Sequence, residues 1–540
     1  MFGLMQDYEL TIDKIVDHAA AWHPDAEVVS RDRSGAVTRA GYAQVRTRSN
    51  LLSGAFLRVG LQGGDRVATL AWNTLDHLQS WYAAMGVALV CHTLNPRLGL
   101  DHLAAMTEEA GDRLLFVGGG LADQALALAA RCPKLETLVF MDGEPAHDPD
   151  ATRASLQLLT FDDLIEELGG PVQWGGFDER TAAGLCYTSG TSGPPKGVLF
   201  SHRSNWLLTL RALQAEAVGL TGKDVVLLVA PLFHANGWGM PFACPAVGAR
   251  LVLPGRNLDG ASLAQMIAAE GVTLAVGVPT VWRGLLNHLE THGGQTPSLQ
   301  RIQIGGAPCP AALAQQLERR LGVEVQTGWG MTELSPFGSI TPPGAGSGLS
   351  GTAGRVPLGL ELRLSDDEGR ALPLQRDVVG HLKVRGPSVA GGYFGSADRI
   401  LDDDGFFDTG DLASIDTHGY LTIAGRSKDL IKSGGEWINP VEIEAIVGSE
   451  PQVAQAAVIG RPDEKWGERP VLVVEPAPGR TLDAEALLAA LRGRIPDWWL
   501  PDRTIVVEHM PLAATGKIDK ARLRVEYAST RGHHALEQPP

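Results

Sequence analysis

The sequence predicts an α/β protein: two doubly wound α/β layers with a small β-rich subdomain, followed by a compact α+β domain. Three observations point there. From about residue 66, short apolar runs alternate with helix-like segments, as parallel strands joined by crossover helices do. Past Ser339 the chain becomes rich in Gly, Pro and Ser over residues 341–354, which marks a loop. A second change of texture falls at residues 426–429, with about a hundred residues beyond it, the size of a small domain.

The strand-like runs of the first part are 66–72, 114–118, 137–141, 225–230, 249–253 and 272–278, and 258–270 reads as the helix before the last of them. Residues 183–187 and 301–304 are two more such runs. Short strands are expected at 360–364 and 381–385, with turn residues between. Past residue 429 a hairpin-like stretch and a helix lead to Gly448. Then 453–460, 471–475, 482–492 and 504–507 alternate strand, strand, helix and strand. The polar tail from Thr530 has the composition of a disordered end.

A chain of 540 residues with 44% hydrophobic content can bury several cores. Its formal charge of −16 argues against a nucleic-acid binder, because phosphate affinity comes from clustered Lys and Arg. Asp7, Glu9 and Asp13 interrupt any N-terminal apolar run, so no secretory signal is expected. No stretch approaches the roughly 20 apolar residues of a membrane span. Cys91, Cys132, Cys186, Cys244 and Cys309 are scattered, without zinc-like spacing. A reduced, cytoplasmic protein is expected.

Residues 186–200 read CYTSGTSGPPKGVLF. A strand runs into Thr188, Ser189, Gly190, Thr191, Ser192 and Gly193, then two prolines and Lys196. Glycines allow a tight turn with exposed N–H groups, hydroxyls add rotatable donors, and Lys196 adds a point charge. Such a loop can cradle phosphate, although its spacing is not that of a Walker A loop. A plain surface loop is the alternative; the buried-type strand before it and the lysine after the proline pair favour phosphate.

This run resembles the signature loop of the adenylate-forming superfamily, which includes acyl-CoA synthetases, luciferase and peptide-synthetase adenylation domains. Residues 328–336 (GWGMTELSP), 408–411 (DTGD), 425–436 (GRSKDLIKSGGE) and 511–520 (PLAATGKIDK) resemble further family motifs, in the family's order. The resemblance covers nearly the whole chain. It implies an AMP-binding domain over residues 1–427, including a β-barrel-like subdomain, and a mobile domain over residues 428–540 hinged at Lys428. It implies an acid–CoA ligase: acid and ATP give acyl-AMP and pyrophosphate, then the thiol of coenzyme A displaces AMP.

The same resemblance implies the roles. Thr188 and Glu333 hold Mg2+, a hard cation that takes oxygen ligands. Gly328, Trp329, Gly330, Met331 and Thr332 hold the nucleotide, with Trp329 as a flat face for adenine. Gly305, Gly306, Ala307 and Pro308 form the opposite wall. Asp411 accepts the ribose hydroxyls, with Arg426 supporting it. Lys517 is the catalytic lysine, and Lys432 contacts the nucleotide. Ser433, Gly434, Gly435 and Trp437 form the coenzyme A face. Taken singly, each residue has an ordinary alternative: Glu333 as a helix cap, Trp329 as core packing, Asp411 as a turn residue, Lys517 as solvated surface.

Residues 231–240 (PLFHANGWGM) resemble bacterial medium- and long-chain fatty acyl-CoA synthetases. By that resemblance His234 lies near the acid carboxylate, and Trp238 gates an acyl site that Val278 and Gly305 also line. Core packing is the alternative for both aromatic residues. The N-terminal MFGLMQDYEL and residues 91–97 are similar to a subgroup that includes 3-methylmercaptopropionyl-CoA ligases. Bulky residues at 276–280 and Trp282 favour short or medium acids, including 3-methylmercaptopropionate. A carrier-protein acceptor, or a long-chain or aryl acid, stays open. A homodimer through the N-terminal domain is expected from the subgroup.

Overall fold

The computed structural model describes residues 1, 3–143, 155–188, 195–346, 349, 351–477, 479–513 and 518–528. Two large sheets dominate. One has seven strands in the order Gln157–Thr160, Thr137–Phe140, Leu114–Val117, Arg66–Leu70, Val90–Leu94, Ala182–Tyr187 and Gly197–Ser201. All neighbours are parallel except the last pair, Ala182–Tyr187 with Gly197–Ser201, which is antiparallel.

The other has eight: Phe337–Ile340, Glu324–Gly330, Arg301–Ile304, Leu274–Gly277, Val225–Leu228, Arg250–Leu253, Glu27–Arg31 and Val37–Gly41. Its six central strands are parallel, and an antiparallel strand closes each edge. The edge hairpin Glu27–Arg31 and Val37–Gly41 lies before residue 66, where no strand was expected. The Val37–Gly41 strand is largely exposed and polar, so it lacks the apolar run that marks a buried strand.

Between the two sheets lies a shared core that draws Val67, Phe116 and Cys91 from one and Val28, Val226 and Val276 from the other. The opposite face of the eight-stranded sheet has its own cluster, holding Ala275, Ile302 and the wholly buried Trp282. Successive residues of a strand point to opposite faces, so Val276 and Ala275 divide between the two cores. The expected chain-limiting bulk of Trp282 therefore fills core, on the face away from the cluster against which Trp238 packs.

The remaining sheets are a four-stranded antiparallel meander (Glu361–Ser365, Gly380–Arg385, Phe407–Ile415, Leu421–Arg426) and a C-terminal sheet. The latter joins the hairpin Ile431–Ser433 and Glu436–Ile438 to the long antiparallel pair Val453–Asp463 and Gly467–Pro476, with Arg503–Val506 parallel to the latter. Asp411 lies within a meander strand, beside a bulge, so it is not the turn residue that its place after Gly410 permitted.

Candidate active site

Four adjacent parallel strands of the eight-stranded sheet end together: Val225–Leu228, Leu274–Gly277, Arg301–Ile304 and Glu324–Gly330. Ligands of open α/β sheets bind at such carboxyl ends. The loops leaving them carry His234, Val278, Gly305 and Gly306, and the last strand itself carries Gly328, Trp329 and Gly330.

Three of the expected acid-site residues and one wall residue meet here. A Cβ placed on Gly305 would lie 3.4 Å from the Trp238 ring, and one on Gly306 would lie 3.1 Å from Trp238 and 3.4 Å from Val278. At Gly306, with φ of 76°, an added Cβ would crowd the indole, whereas at Gly305 it would make ordinary contact. Ala307 and Pro308 follow, half-buried and exposed. His234 caps the turn Ala235–Gly239, its ring 5.1 Å from that of Phe233.

That turn is left-handed. Ala235, Asn236, Gly237, Trp238 and Gly239 all have positive φ, with 54° at Trp238. Each left-handed residue with a Cβ costs about 1–2 kcal/mol, less for Asn. The surroundings over-determine it, as such strain requires. Buried Asn236 donates through Nδ2 to Asn205 Oδ1 across 2.7 Å, and the Ala235 N–H donates to Cys186 Sγ at 3.3 Å.

On the nucleotide side, the short 3-10 turn Thr332–Leu334 follows Met331 and carries Glu333, which is 7% exposed. Tyr393 donates through its hydroxyl to Glu333 Oε1 at 2.9 Å. Lys196 Nζ lies over the Tyr393 ring, 4.7 Å from its centroid. Burial, with Glu333 adding, pushes the Tyr393 phenol well up, so it stays a donor. Burial also raises the Cys186 thiol, and the charge of Glu333 pushes the same way. Tyr393 had no signal in sequence beyond a Gly-Gly-Tyr-Phe run at 391–394.

The expected phosphate loop leaves one strand of an antiparallel pair and enters the other. Tyr187 pairs with Gly197, and Thr188 and Lys196 clip its two ends together by Thr188 N–H to Lys196 O, 2.9 Å, and Lys196 N–H to Thr188 Oγ1, 3.3 Å. Ser189, Gly190, Thr191, Ser192 and Gly193 lie outside the described residues, as does Lys517.

Asp411, only 3% exposed, is held from two sides. Its Oδ2 accepts the Trp329 indole N–H at 2.8 Å, and its Oδ1 faces Arg426 Nε at 2.9 Å. Arg426 also donates to Thr409 O. Asp411 is the residue expected at the ribose. Besides donating to Asp411, the Trp329 ring packs on the meander core beside Leu362.

In the C-terminal sheet, Gly434 and Gly435 form the two-residue turn between Ser433 and Glu436, with φ of 62° and 91°. Two positive φ values are what a tight primed hairpin turn demands. Gly434 is backed by Trp466, whereas a Cβ on Gly435 would meet nothing within 4 Å. Only Gly435 thus leaves the open approach expected of the pair. Lys432 sits over the half-exposed Trp437 ring, and buried Ser433 accepts from Arg469. Lys428 lies in the short turn Ser427–Asp429, where burial lowers its ammonium. Its neighbour Asp429 accepts from Arg524 at 2.7 Å.

Two further supporting residues were not foreseen, Asn205 and Arg211. Both sit on the helix His202–Leu213, which follows the phosphate hairpin and starts at a Ser201 cap. Arg211, 1% exposed, donates to Phe337 O, Gly359 O and Ser388 Oγ. Ser388 O in turn accepts from Ser335, two residues past Glu333.

Residues 16–394 match the AMP-binding enzyme family, and residues 442–517 match the AMP-binding enzyme C-terminal domain. The chain is 42% identical to a 3-methylmercaptopropionyl-CoA ligase of Ruegeria lacuscaerulensis, covering 98% of this chain and 99% of the relative. It is 41% identical to a medium-chain-fatty-acid–CoA ligase of Ectopseudomonas oleovorans, covering 98% of each. The anthranilate CoA ligase AuaEII, solved with anthranoyl-AMP, shares the fold at TM-score 0.86 and 24% identity, over 96% of this chain and 98% of that one. The chain belongs to the AMP-binding enzyme family. It is an ATP-using, AMP-forming acid–CoA ligase.

Proposed function

We propose that this ligase activates short- to medium-chain acids, with 3-methylmercaptopropionate among them. The carrying observation is Trp238 laid against Gly305 and Gly306 with Val278 beside it, an indole across the place where a longer chain would run. The names of the two relatives point to the same range. A panel from acetate through palmitate, with 3-methylmercaptopropionate and benzoate, tests it by AMP release. Preference for palmitate or benzoate overturns it.

In this reading, ATP sits with its base by Trp329 and its ribose on Asp411 and Arg426. Thr188, Lys196 and the intervening hydroxyls hold the phosphates. Glu333 fits Mg2+: it is a buried oxygen donor oriented by Tyr393, and Mg2+ needs only one or two carboxylates beside substrate phosphates. Bound there with Thr188, the ion neutralises phosphate charge. His234 positions the acid, and Lys517 stabilises the charge that develops as carboxylate attacks phosphorus. Residues 428–540 then pivot at Lys428 to bring Lys432, Ser433, Gly434, Gly435 and Trp437 to coenzyme A, the domain at 1–427 staying fixed.

The protein is proposed to work in the cytoplasm as a homodimer through the N-terminal domain; light scattering after size exclusion checks the second point. No described helix is long and apolar enough to cross a membrane. Pyrophosphate release followed by product analysis, with and without coenzyme A, separates a free thiol acceptor from a carrier protein. Lys517→Ala is expected to abolish acyl-AMP formation while sparing thioester formation from supplied acyl-AMP.

A further inference from the structure

We infer that Asn205 and Cys186 form a latch which holds the left-handed turn Ala235–Gly239, and through it Trp238, and so sets acid chain-length preference. The inference rests on the proposed place of Trp238 at the acid site.

The turn departs from ordinary backbone over five consecutive residues, three of which carry a Cβ. Two tethers hold it. Asn236 reaches Asn205 on the helix His202–Leu213, with Asn205 0% and Asn236 5% exposed. The Ala235 N–H is taken by Cys186, on the strand Ala182–Tyr187. Asn236 also lies over Gly184 of that strand, its Oδ1 3.5 Å from where a Cβ would be. Both tethering elements flank the phosphate hairpin.

The buried partner is costly to keep unless it has a task. Asn205 Nδ2 has no hydrogen-bond partner among the described residues, so a polar side chain is held in the core largely for the bond its oxygen accepts. A thiol is a weak acceptor, so the Asn205 bond is the stronger of the two tethers. Without it, the turn can relax toward right-handed backbone, and the indole on Gly305 and Gly306 moves with it. Asn205 and Cys186 are positioning residues in this scheme; neither is placed against substrate.

Two variants separate the latch from folding. Asn236→Gly removes the tether while easing the left-handed backbone, and Asn205→Ala removes the acceptor. In both, the kcat/KM ratio of decanoate to butanoate is expected to rise about tenfold, with the KM for ATP moving less than about twofold. A second readout needs no turnover: alkylation of Cys186 by iodoacetamide, followed by peptide mass spectrometry. Cys186 is 2% exposed; its alkylation should quicken at least about fivefold in Asn236→Gly, with buried Cys244 unchanged. An unchanged acid ratio together with unchanged Cys186 labelling overturns the latch. So does equal quickening at Cys186 and Cys244, which reports general loosening. Wild-type protein that turns over no acid sinks the proposed substrate range, and the labelling result then decides the latch by itself.

Discussion

Asp411 accepts the indole N–H of Trp329 across 2.8 Å, so the residue expected beneath adenine and the residue expected beneath ribose form one unit. With Arg426 on its other oxygen, the carboxylate is fixed before any nucleotide arrives. Trp329→Phe keeps an aromatic ring against the meander but loses the indole N–H and part of the ring area. A hydrogen bond to a charged partner contributes about 1.5–3 kcal/mol, so kcat/KM for ATP should fall about ten- to hundredfold. ATP–pyrophosphate exchange measures it. A variant within twofold of wild type would show that the indole N–H is not needed to orient Asp411.

Tyr393 invites a similar test on the metal side. Its hydroxyl is the partner seen for Glu333 Oε1, and its ring carries Lys196. Tyr393→Phe retains the ring and deletes the hydrogen bond. The Mg2+ concentration for half-maximal adenylation should rise about tenfold, because the carboxylate is no longer held in orientation. A Mg2+ titration of pyrophosphate release at saturating ATP checks this. An unchanged titration would place the metal elsewhere than Glu333.

Much of this architecture was legible in the chain. The strand runs at 114–118, 137–141 and 225–230 match observed strands within a residue or two, because buried parallel strands are continuous apolar runs. Glu333, Asp411 and Trp329 could be singled out because each sits in a motif. Long-range support could not. Asn205 and Asn236 lie 31 positions apart, and Tyr393 and Glu333 lie 60 apart. Neither pair has a spacing rule, since only the folded sheet brings them together. The left-handed turn was hidden as well, because Ala235 and Trp238 carry no preference for positive φ.

Arg211 tests whether the back of the site is structural support. Among the described residues its buried guanidinium donates to two carbonyls and a hydroxyl, and burial pushes its pKa down to about 10. Arg211→Met would fill similar space but orphan the carbonyls of Phe337 and Gly359. Each unsatisfied buried acceptor costs about 1–3 kcal/mol. Urea unfolding should therefore shift to lower midpoint, with adenylation lost in parallel. Stability equal to wild type would mean that water replaces the guanidinium at little cost.

His202 gives the chain a defined sensitivity to acid. It is wholly buried, accepts the Ile12 N–H through Nδ1, and burial lowers its pKa to about 3. His77 behaves alike, lowered by burial to about 4. Above pH 6.5 neither the folded nor the unfolded chain protonates these rings, and their contribution to stability is fully present. As pH falls from 6.5 toward the folded values, the unfolded chain gains protons that the folded chain refuses, so stability is lost. At pH 5 the loss is about 2 kcal/mol for each ring. Asp76, raised by burial to about 7, works in the opposite sense over this range, so total stability against pH is a poor test. The difference between two proteins is a good one. His202→Gln keeps an acceptor for Ile12 and cannot titrate, so its Tm should fall less than that of wild type between pH 7.5 and 5, by about 2–4 °C. Parallel Tm curves for the two proteins would show that His202 is protonated in the fold and is not the source of the acid sensitivity.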